Sequence, residues 1–406
     1  MTPAKPTDRS PTISPAHGPV MRVLLFLSIL IVTSGCASTR EAGPLTLQQR
    51  MDRVMPALLR EQKLGGMGIA VIRRGRVVWT GYYGEQSPGV PVSPRTAFNT
   101  ASIAKTVTAE TLIALAAARR IDLDEPIAGY VANADLAADP RYRVLTARLL
   151  LSHRSGLRNW PDDYDNGRLA FDWDPGTRYR YSGAGVELAA RYAQAKTGKT
   201  LRALAAETLF APMRIDEMAV AELPAWTAGH LALPVDKAGA FGAIDTLYPG
   251  LKTGSGVGAA YDLITTVPAY ASFLTRLIAH GGRDSAGRRA RETILTNLDG
   301  DAVYGCPRAV VARCPDTYGY ALGWQVHRYG RHVVLQHTGN DEGQTDLVYV
   351  SPDTQDGAVI FVNGANGWVA ITRAIELIGN EPLVAGYYRG LVEAVLHERM
   401  PTDDTK

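Results

Sequence analysis

The 406-residue chain has little of several things, and each shortage excludes a class of protein. Charge of one sign is missing: Lys+Arg 43 against Asp+Glu 40 leaves +3, with no basic stripe of the kind phosphate backbones require, so nucleic acid is not an expected partner. Eight histidines, no two at ligand spacing beside a carboxylate, and only three cysteines leave no metal site to read; neither a metal nor an organic cofactor is expected. Long apolar runs are missing too, since none reaches the ~20 residues that a membrane helix takes. No internal repeat is visible. What remains, 46% hydrophobic and 20% charged residues, is the composition of a globular enzyme with a sizeable core. The length suits two to three units, or one large α/β body carrying an inserted lobe.

Residues 1–20 are rich in Pro, Ser and Thr and read as unstructured. Met21-Arg22, the apolar run Val23 to Val32 and then Thr33-Ser34-Gly35-Cys36 describe a secretory signal, too short to span a bilayer, with Met21 read as the start. Small residues before a cysteine resemble a bacterial lipoprotein processing site, although Thr33 stands where that pattern prefers Leu. Residues 1–36 are therefore expected to be an extension and lipoprotein signal. Lipidation of Cys36 would anchor the protein to a membrane, facing the periplasm. The other cysteines, Cys306 and Cys314, each precede a proline in a loop-like stretch. In an exported chain such a pair is expected to form a disulfide.

Met51, Val54, Met55, Leu58 and Leu59 share one helical face, and Gly65-Gly66 ends that helix. Gly68 to Ile72 and Arg76 to Tyr82 flank Arg73-Arg74-Gly75 as a hairpin. Helical patterns follow at Ser102 to Arg120, Thr146 to Ser152, Gly185 to Thr197, Leu201 to Phe210 and Ile264 to Gly281. Strands are expected at Leu322 to Val326, Val333 to His337, Thr345 to Val350 and Ala358 to Asn363, with closing helices from about Val369 and Leu383. The expected fold is α/β of the α+β kind: an antiparallel sheet flanked by helices with an inserted all-α lobe. One domain would cover 45–395, its α/β part formed by 45–100 and 252–395 and its helical lobe by 101–251.

Ser102 and Lys105 lie three apart at the start of a long apolar helix, so the amine can reach the hydroxyl while the helix end directs N–H groups at an oxyanion. A serine needs a neighbour to take its proton, and Lys105 could do so only if burial or another cation lowered its pKa. Three further segments add context. Leu150-Leu151-Ser152-His153-Arg154-Ser155-Gly156-Leu157 resembles the LLxHxSGL segment of the serine β-lactamase and penicillin-binding-protein superfamily. Asp174-Pro175-Gly176-Thr177 with Tyr181-Ser182-Gly183 is similar to its PGxxFxYSN element, and Gly323-Trp324 followed by His337-Thr338-Gly339 to a GW and HTG variant of its third motif. Tyr181 lies 79 positions and His337 235 positions after Ser102, in keeping with the class C branch and its esterases, D-aminopeptidases and carboxypeptidases. Lys252-Thr253-Gly254 spells the better-known third motif but runs into Gly256-Val257-Gly258, which fits neither a strand nor a phosphate loop, and reads as a loop.

The resemblance implies a β-lactamase/transpeptidase-like fold and a serine hydrolase acting on a small-molecule acyl substrate. Ser102 would form the acyl-enzyme, with Lys105 and Tyr181 sharing the proton. The backbone N–H groups of Ser102 and Asn340 would form the oxyanion hole, and His337 and Thr338, beside Gly339, would bind a substrate carboxylate or carbonyl. His153 and Trp324 match family positions but read as structural. Two departures matter: Gly183 replaces an Asn that many relatives use on substrate amides, and His337 replaces a lysine whose charge would help acidify Tyr181. Activity is therefore expected to rise into the alkaline range, and an esterase or D-amino-acid peptidase is favoured over a D-alanyl-D-alanine carboxypeptidase or β-lactamase. A binding lipoprotein without turnover is the reading from another class. Neither the acyl donor nor the oligomeric state can be read from the residues.

Overall fold

The computed structural model describes residues 44–243, 258–279, 285–298, 305–307 and 314–394. Helix α1 (Leu47–Glu61) starts at a capping box in which Thr46 and Gln49 each satisfy the other's backbone N–H, and it buries Met51, Met55, Leu58 and Leu59. Strands β1 (Gly66–Arg73) and β2 (Arg76–Ser87) form the expected hairpin. Its two-residue turn places Arg74 and Gly75 at positive φ, the geometry that suits strand twist. After the short β3 (Val90–Pro91), β4 (Ala97–Asn99) leads into the helical region, which holds α2 (Ala104–Ala117), α3 (Ala147–Leu151), α4 (Gly183–Thr197), α5 (Leu201–Ala205) and β5 (Met218–Val220). The chain returns through β6 (Leu263–Thr266), α6 (Val267–Ala279), α7 (Ala286–Glu292) and β7 (Thr296–Asn297) to the strands β8 (Thr317–Tyr320), β9 (Gln325–Tyr329), β10 (His332–Asp341), β11 (Gln344–Val350) and β12 (Gly357–Asn363). It closes with α8 (Trp368–Ile378) and α9 (Pro382–Ala394).

One antiparallel sheet runs β3-β2-β1-β12-β11-β10-β9-β8-β7, joined at its middle by distant segments: Ile69 of β1 pairs with Ile360 of β12. Side-chain alternation sends Ala70, Ile72, Val359 and Phe361 into the core shared with α2 and α6, and Ile69, Val71, Ile360 and Val362 into the core beneath α1, α8 and α9. Both sheet faces are covered, which is why these strands read as unbroken apolar runs.

The expected sheet with a helical insertion is therefore present, with local corrections. The inserted lobe is not all-α, because β5 pairs with β6 in a second sheet of order β4-β6-β5. The segment from Ile264 begins as β6 and turns helical only at Val267, its β-branched residues joining Asn99 and Ala97 across the sheet. The strand expected from Leu322 starts at Gln325, after a turn through Gly323, while β8 precedes it unforeseen. Gly323 has φ +73°, and a Cβ there would lie 2.2 Å from that of Ala109 on α2, so the turn needs glycine. Cys306 and Cys314 form a disulfide. Cys36 and Lys252-Thr253-Gly254 lie outside the described residues.

Candidate active site

Between β4 and α2 the backbone makes an abrupt change of direction. Ala101 sits at φ +44°, a conformation costing a non-glycine residue ~1–3 kcal/mol, and is held there by its N–H donating to Asn99 Oδ1 at 3.2 Å. A single 3-10 turn, Ala101–Ile103, then enters α2. Its bonds run from Ile103 to Thr100 and from Ala104 to Ala101, so the Ser102 N–H belongs to the unpaired donors of the helix end. From Ala101 to Ile113 Ser102 alone is not buried. The result is an interior helix in which Ser102 is the one partly exposed residue of the first three turns.

Lys105, 1% exposed, donates from Nζ to Ser102 Oγ at 3.0 Å and to the Ala260 carbonyl at 2.7 Å. Burial lowers its pKa from the usual 10.5 to about 7, against the opposing pull of the Glu187 carboxylate. Tyr181, at the entrance to α4, places its ring centroid 4.8 Å from the same Nζ. Behind it stands His153, 4.4 Å between ring centroids, whose Nδ1 accepts the Ser182 N–H at 3.1 Å. Burial depresses the His153 pKa well below its usual value, so it acts as a neutral brace for the Tyr181 segment. Trp324 lies deeper: Nε1 donates to Glu110 Oε1 at 2.9 Å, and Glu110 receives both Nε and NH2 of Arg291 at 2.8 and 2.7 Å.

Strand β10 forms the other wall. It pairs with β9 only through Gln336, whereas its pairing with β11 continues to Asp341. Tyr329 and His332 close one two-residue hairpin, and Asp341 and Gln344 close the next. Counting outward from both turns with the period of two, the backbone groups of His337, Gly339 and Asp341 face β11, while those of Thr338 and Asn340 face the open edge. A Cβ on Gly339 would come within 2.3 Å of the Thr100 carbonyl, so glycine lets this strand lie against the turn that carries Ser102. The Asn340 N–H thus faces the open edge of β10 and not β11.

His337 is placed differently from its expected role. It is 1% exposed with both nitrogens engaged: Nδ1 lies 2.8 Å from the Thr338 carbonyl, which can only accept, so Nδ1 carries the hydrogen and Nε2 accepts from the Tyr320 hydroxyl at 2.6 Å. Burial and the charge of Lys105 push its pKa down to about 3. It offers a substrate neither charge nor a free nitrogen; Thr338, half-buried on the same strand, faces the cleft with its backbone.

Several groups of the site carry no motif. The Ala260 carbonyl that receives Lys105 and the Glu187 carboxylate that accepts the Ala260 N–H at 2.9 Å come from separate segments. Trp160 covers Gly183 so closely that a Cβ there would meet its ring at 2.4 Å, and its other edge meets Tyr261 at 5.4 Å between centroids. The unexpected glycine pointed to this place, and the tryptophan that fills it opens a stretch, Trp160 to Phe171, that reads as a cleft-shaping loop but carries no motif. No group of His, Cys, Asp and Glu side chains among the described residues could hold a metal ion.

The family model described as "Beta-lactamase" matches residues 48–378. The chain is 30% identical to esterase EstB of Burkholderia gladioli over 118 residues, which make up 28% of this chain and 30% of that protein. Across the curated relatives it matches, the aligned stretch spans 18% to 52% of their length. Among solved structures it is similar to a class C beta-lactamase, with TM-score 0.65 and 17% identity over 82% of this chain and 96% of that one. It is likewise similar to the D-amino acid amidase of Ochrobactrum anthropi SV3, with TM-score 0.63 and 19% identity over 86% and 99%.

Proposed function

We propose, for a chain that belongs to the beta-lactamase family of serine hydrolases, that it cleaves an ester, or a short amide of the D-amino-acid type, through an acyl-enzyme on Ser102. The observation that carries this reading is the 3.0 Å bond between Ser102 and a lysine whose pKa burial has brought to about 7. An ordinary lysine is protonated at neutral pH and cannot accept a proton, whereas Lys105 is about half neutral there.

In this mechanism neutral Lys105 takes the hydroxyl proton as Ser102 Oγ adds to the acyl carbon. The oxyanion meets the N–H groups of Ser102 and Asn340, a pair of the kind whose members are each worth ~10²–10³ in rate. Collapse breaks the bond to the leaving oxygen or nitrogen, which receives the proton from the Lys105 ammonium directly or across the Tyr181 phenol. Water then adds to the acyl-enzyme with the same base, and the acid departs with Ser102 reprotonated. His337, neutral and bonded to Tyr320, supplies no cation to acidify Tyr181, so Lys105 is the primary base and Tyr181 the relay.

Preference for an ester is supported by the wall opposite. Gly183 brings no amide-binding side chain, and the Trp160 ring fills the space that one would occupy. We also place the enzyme on the periplasmic side, tethered through lipid on Cys36. The signal-like residues 21–36 support export, as does the Cys306–Cys314 disulfide, a bond suited to an oxidising compartment. Among the described residues no helix is long and apolar enough to cross a membrane.

The test is a panel of p-nitrophenyl esters, D-amino-acid anilides and nitrocefin, run with fluorophosphonate labelling of the wild type and Ser102→Ala. Ester turnover and a label lost in the variant are expected. Nitrocefin turned over faster than every ester would refute the substrate class, and label retained in Ser102→Ala would refute the nucleophile.

A further inference from the structure

Glu187 belongs to no motif, yet it stands behind the base. It lies one turn after Gly183 on α4, on the same helical face. Its Oε1 accepts the Ala260 N–H at 2.9 Å, and the carbonyl of that residue accepts Lys105 Nζ at 2.7 Å. One residue therefore stands between carboxylate and amine: Ala260 is held by Glu187 at its N–H and receives Lys105 at its carbonyl, through two adjacent peptide groups. Lys105 reaches Ser102 with its remaining reach fixed by this second bond.

We propose that Glu187 is a positioning residue for the reaction: its carboxylate anchors the backbone of Ala260, whose carbonyl aims the Lys105 amine, and its charge balances the ammonium formed when Lys105 takes the Ser102 proton. The titratable groups facing Lys105 are Glu187 from α4, Tyr181 from the segment before it, His153 from the end of α3 and His337 from β10. Both histidines are held neutral by burial, so Glu187 is the anion among them. Glu187 is itself faced by Lys105 and by Arg191, which lower its pKa, and by Asp262 on the segment leading into β6. Burial raises the Glu187 pKa on balance, against the lowering pull of the Ala260 N–H, of the Lys105 and Arg191 charges and of the Ala259 N–H. Without that carboxylate the ammonium form of Lys105 loses support, and its pKa falls below about 7.

The experiment is a pH titration of the Lys105 side chain by heteronuclear NMR in lysine-labelled protein, assigned by comparison with Lys105→Ala. It is run on the wild type, Glu187→Gln and Glu187→Asp, with kcat/KM for p-nitrophenyl acetate measured over the same pH range. Glu187→Gln keeps an oxygen for the Ala260 N–H but removes the charge. Its Lys105 midpoint is expected to fall by about one unit, and the acid limb of kcat/KM to move down with it while the plateau drops. Glu187→Asp, which keeps the charge, is expected to hold the midpoint near the wild-type value. An unmoved Lys105 midpoint in Glu187→Gln overturns the proposal, as does a midpoint in Glu187→Asp lowered as far as in Gln. The inference rests on the proposed reaction only for its kinetic arm. A wild type inactive on every ester and unlabelled by fluorophosphonate would count against the reaction, whereas the NMR midpoint reads the Glu187–Lys105 link without turnover.

Discussion

Gly183→Asn restores the residue that many members of the superfamily carry, and the structure requires it to be damaging here. The first atom added would stand 2.4 and 2.5 Å from two carbons of the Trp160 ring, about 1 Å inside ordinary contact, and the ring is wedged against Tyr261. Overpacking of this degree costs ~1–3 kcal/mol. Replacing a glycine at a helix start with negative φ returns ~0.4–1 kcal/mol by restricting the unfolded chain, so the net loss is ~0–2.6 kcal/mol and the coupling is the sharper measure. Trp160→Ala removes the obstacle, and in the double variant the strain should vanish, giving a coupling of about 1–3 kcal/mol in a double-mutant cycle. Urea unfolding of the four proteins measures this. The same four proteins assayed on a p-nitrophenyl ester and the matching anilide test the link to chemistry. The double variant should gain anilide over ester activity by about tenfold, the value of one well-made hydrogen bond to a substrate amide. A coupling near zero between Gly183→Asn and Trp160→Ala would refute the steric reasoning. Strain relieved without any change in the ester to anilide ratio would refute its bearing on specificity.

Three further outcomes follow from particular contacts. Only neutral Lys105 can accept the serine proton, so kcat/KM should rise tenfold per pH unit below about 6, turn near pH 7 and level off by about 8; a limb turning near 10 would show Lys105 to be ordinary. Glu110→Ala leaves the Arg291 charge and the Trp324 N–H buried without their shared acceptor, and should cost ~3–5 kcal/mol in urea unfolding; a loss under 1 kcal/mol would show that the pair is dispensable. Replacing Cys306 and Cys314 together by Ser opens a bridge between residues eight apart and should cost about 2–3 kcal/mol, read as a lower thermal midpoint with unchanged ester kinetics.

Legibility in the sequence followed the range over which each contact acts. Ser102 and Lys105 could be placed together because one helical turn determines their distance, and β1, β2, β11 and β12 because apolar β-branched runs between turns carry their own period. Tyr181 and the strand of His337 entered through a family resemblance. Contacts that depend on the packing of unrelated segments left no local trace: the Ala260 carbonyl lies 155 residues from Lys105, and Trp160 reaches Gly183 from a loop. The pH argument shifted for the same reason. Residue identity alone directs attention to His337 and the acidity of Tyr181, but burial silences the histidine and moves the titration to Lys105. β5 was missed because three residues, Met218 to Val220, are too few to show a period.

A lysine with a pKa near 7 has to be kept out of bulk solvent, and the helix that carries it must not yield when the charge appears. The arrangement around α2 meets both demands. Every residue from Ile103 to Ile113 is buried, Gly323 brings the β8–β9 turn against Ala109, and Glu110 bonds Arg291 and Trp324 one turn beyond Val107. The strain at Ala101 is sustained by this frame, since a looser helix would relax it and rotate Ser102 away from the opening. Gly323 and Trp324 therefore brace the helix that carries Lys105: Trp324→Phe should retain its bulk but leave one Glu110 lone pair unmet, costing about 1–3 kcal/mol of stability. If the helix frame is what fixes the base, that variant should also shift the acid limb of kcat/KM upward as water gains access to Lys105. A variant destabilised by that amount with its limb still at about 7 would show that burial of the lysine depends on its immediate neighbours alone.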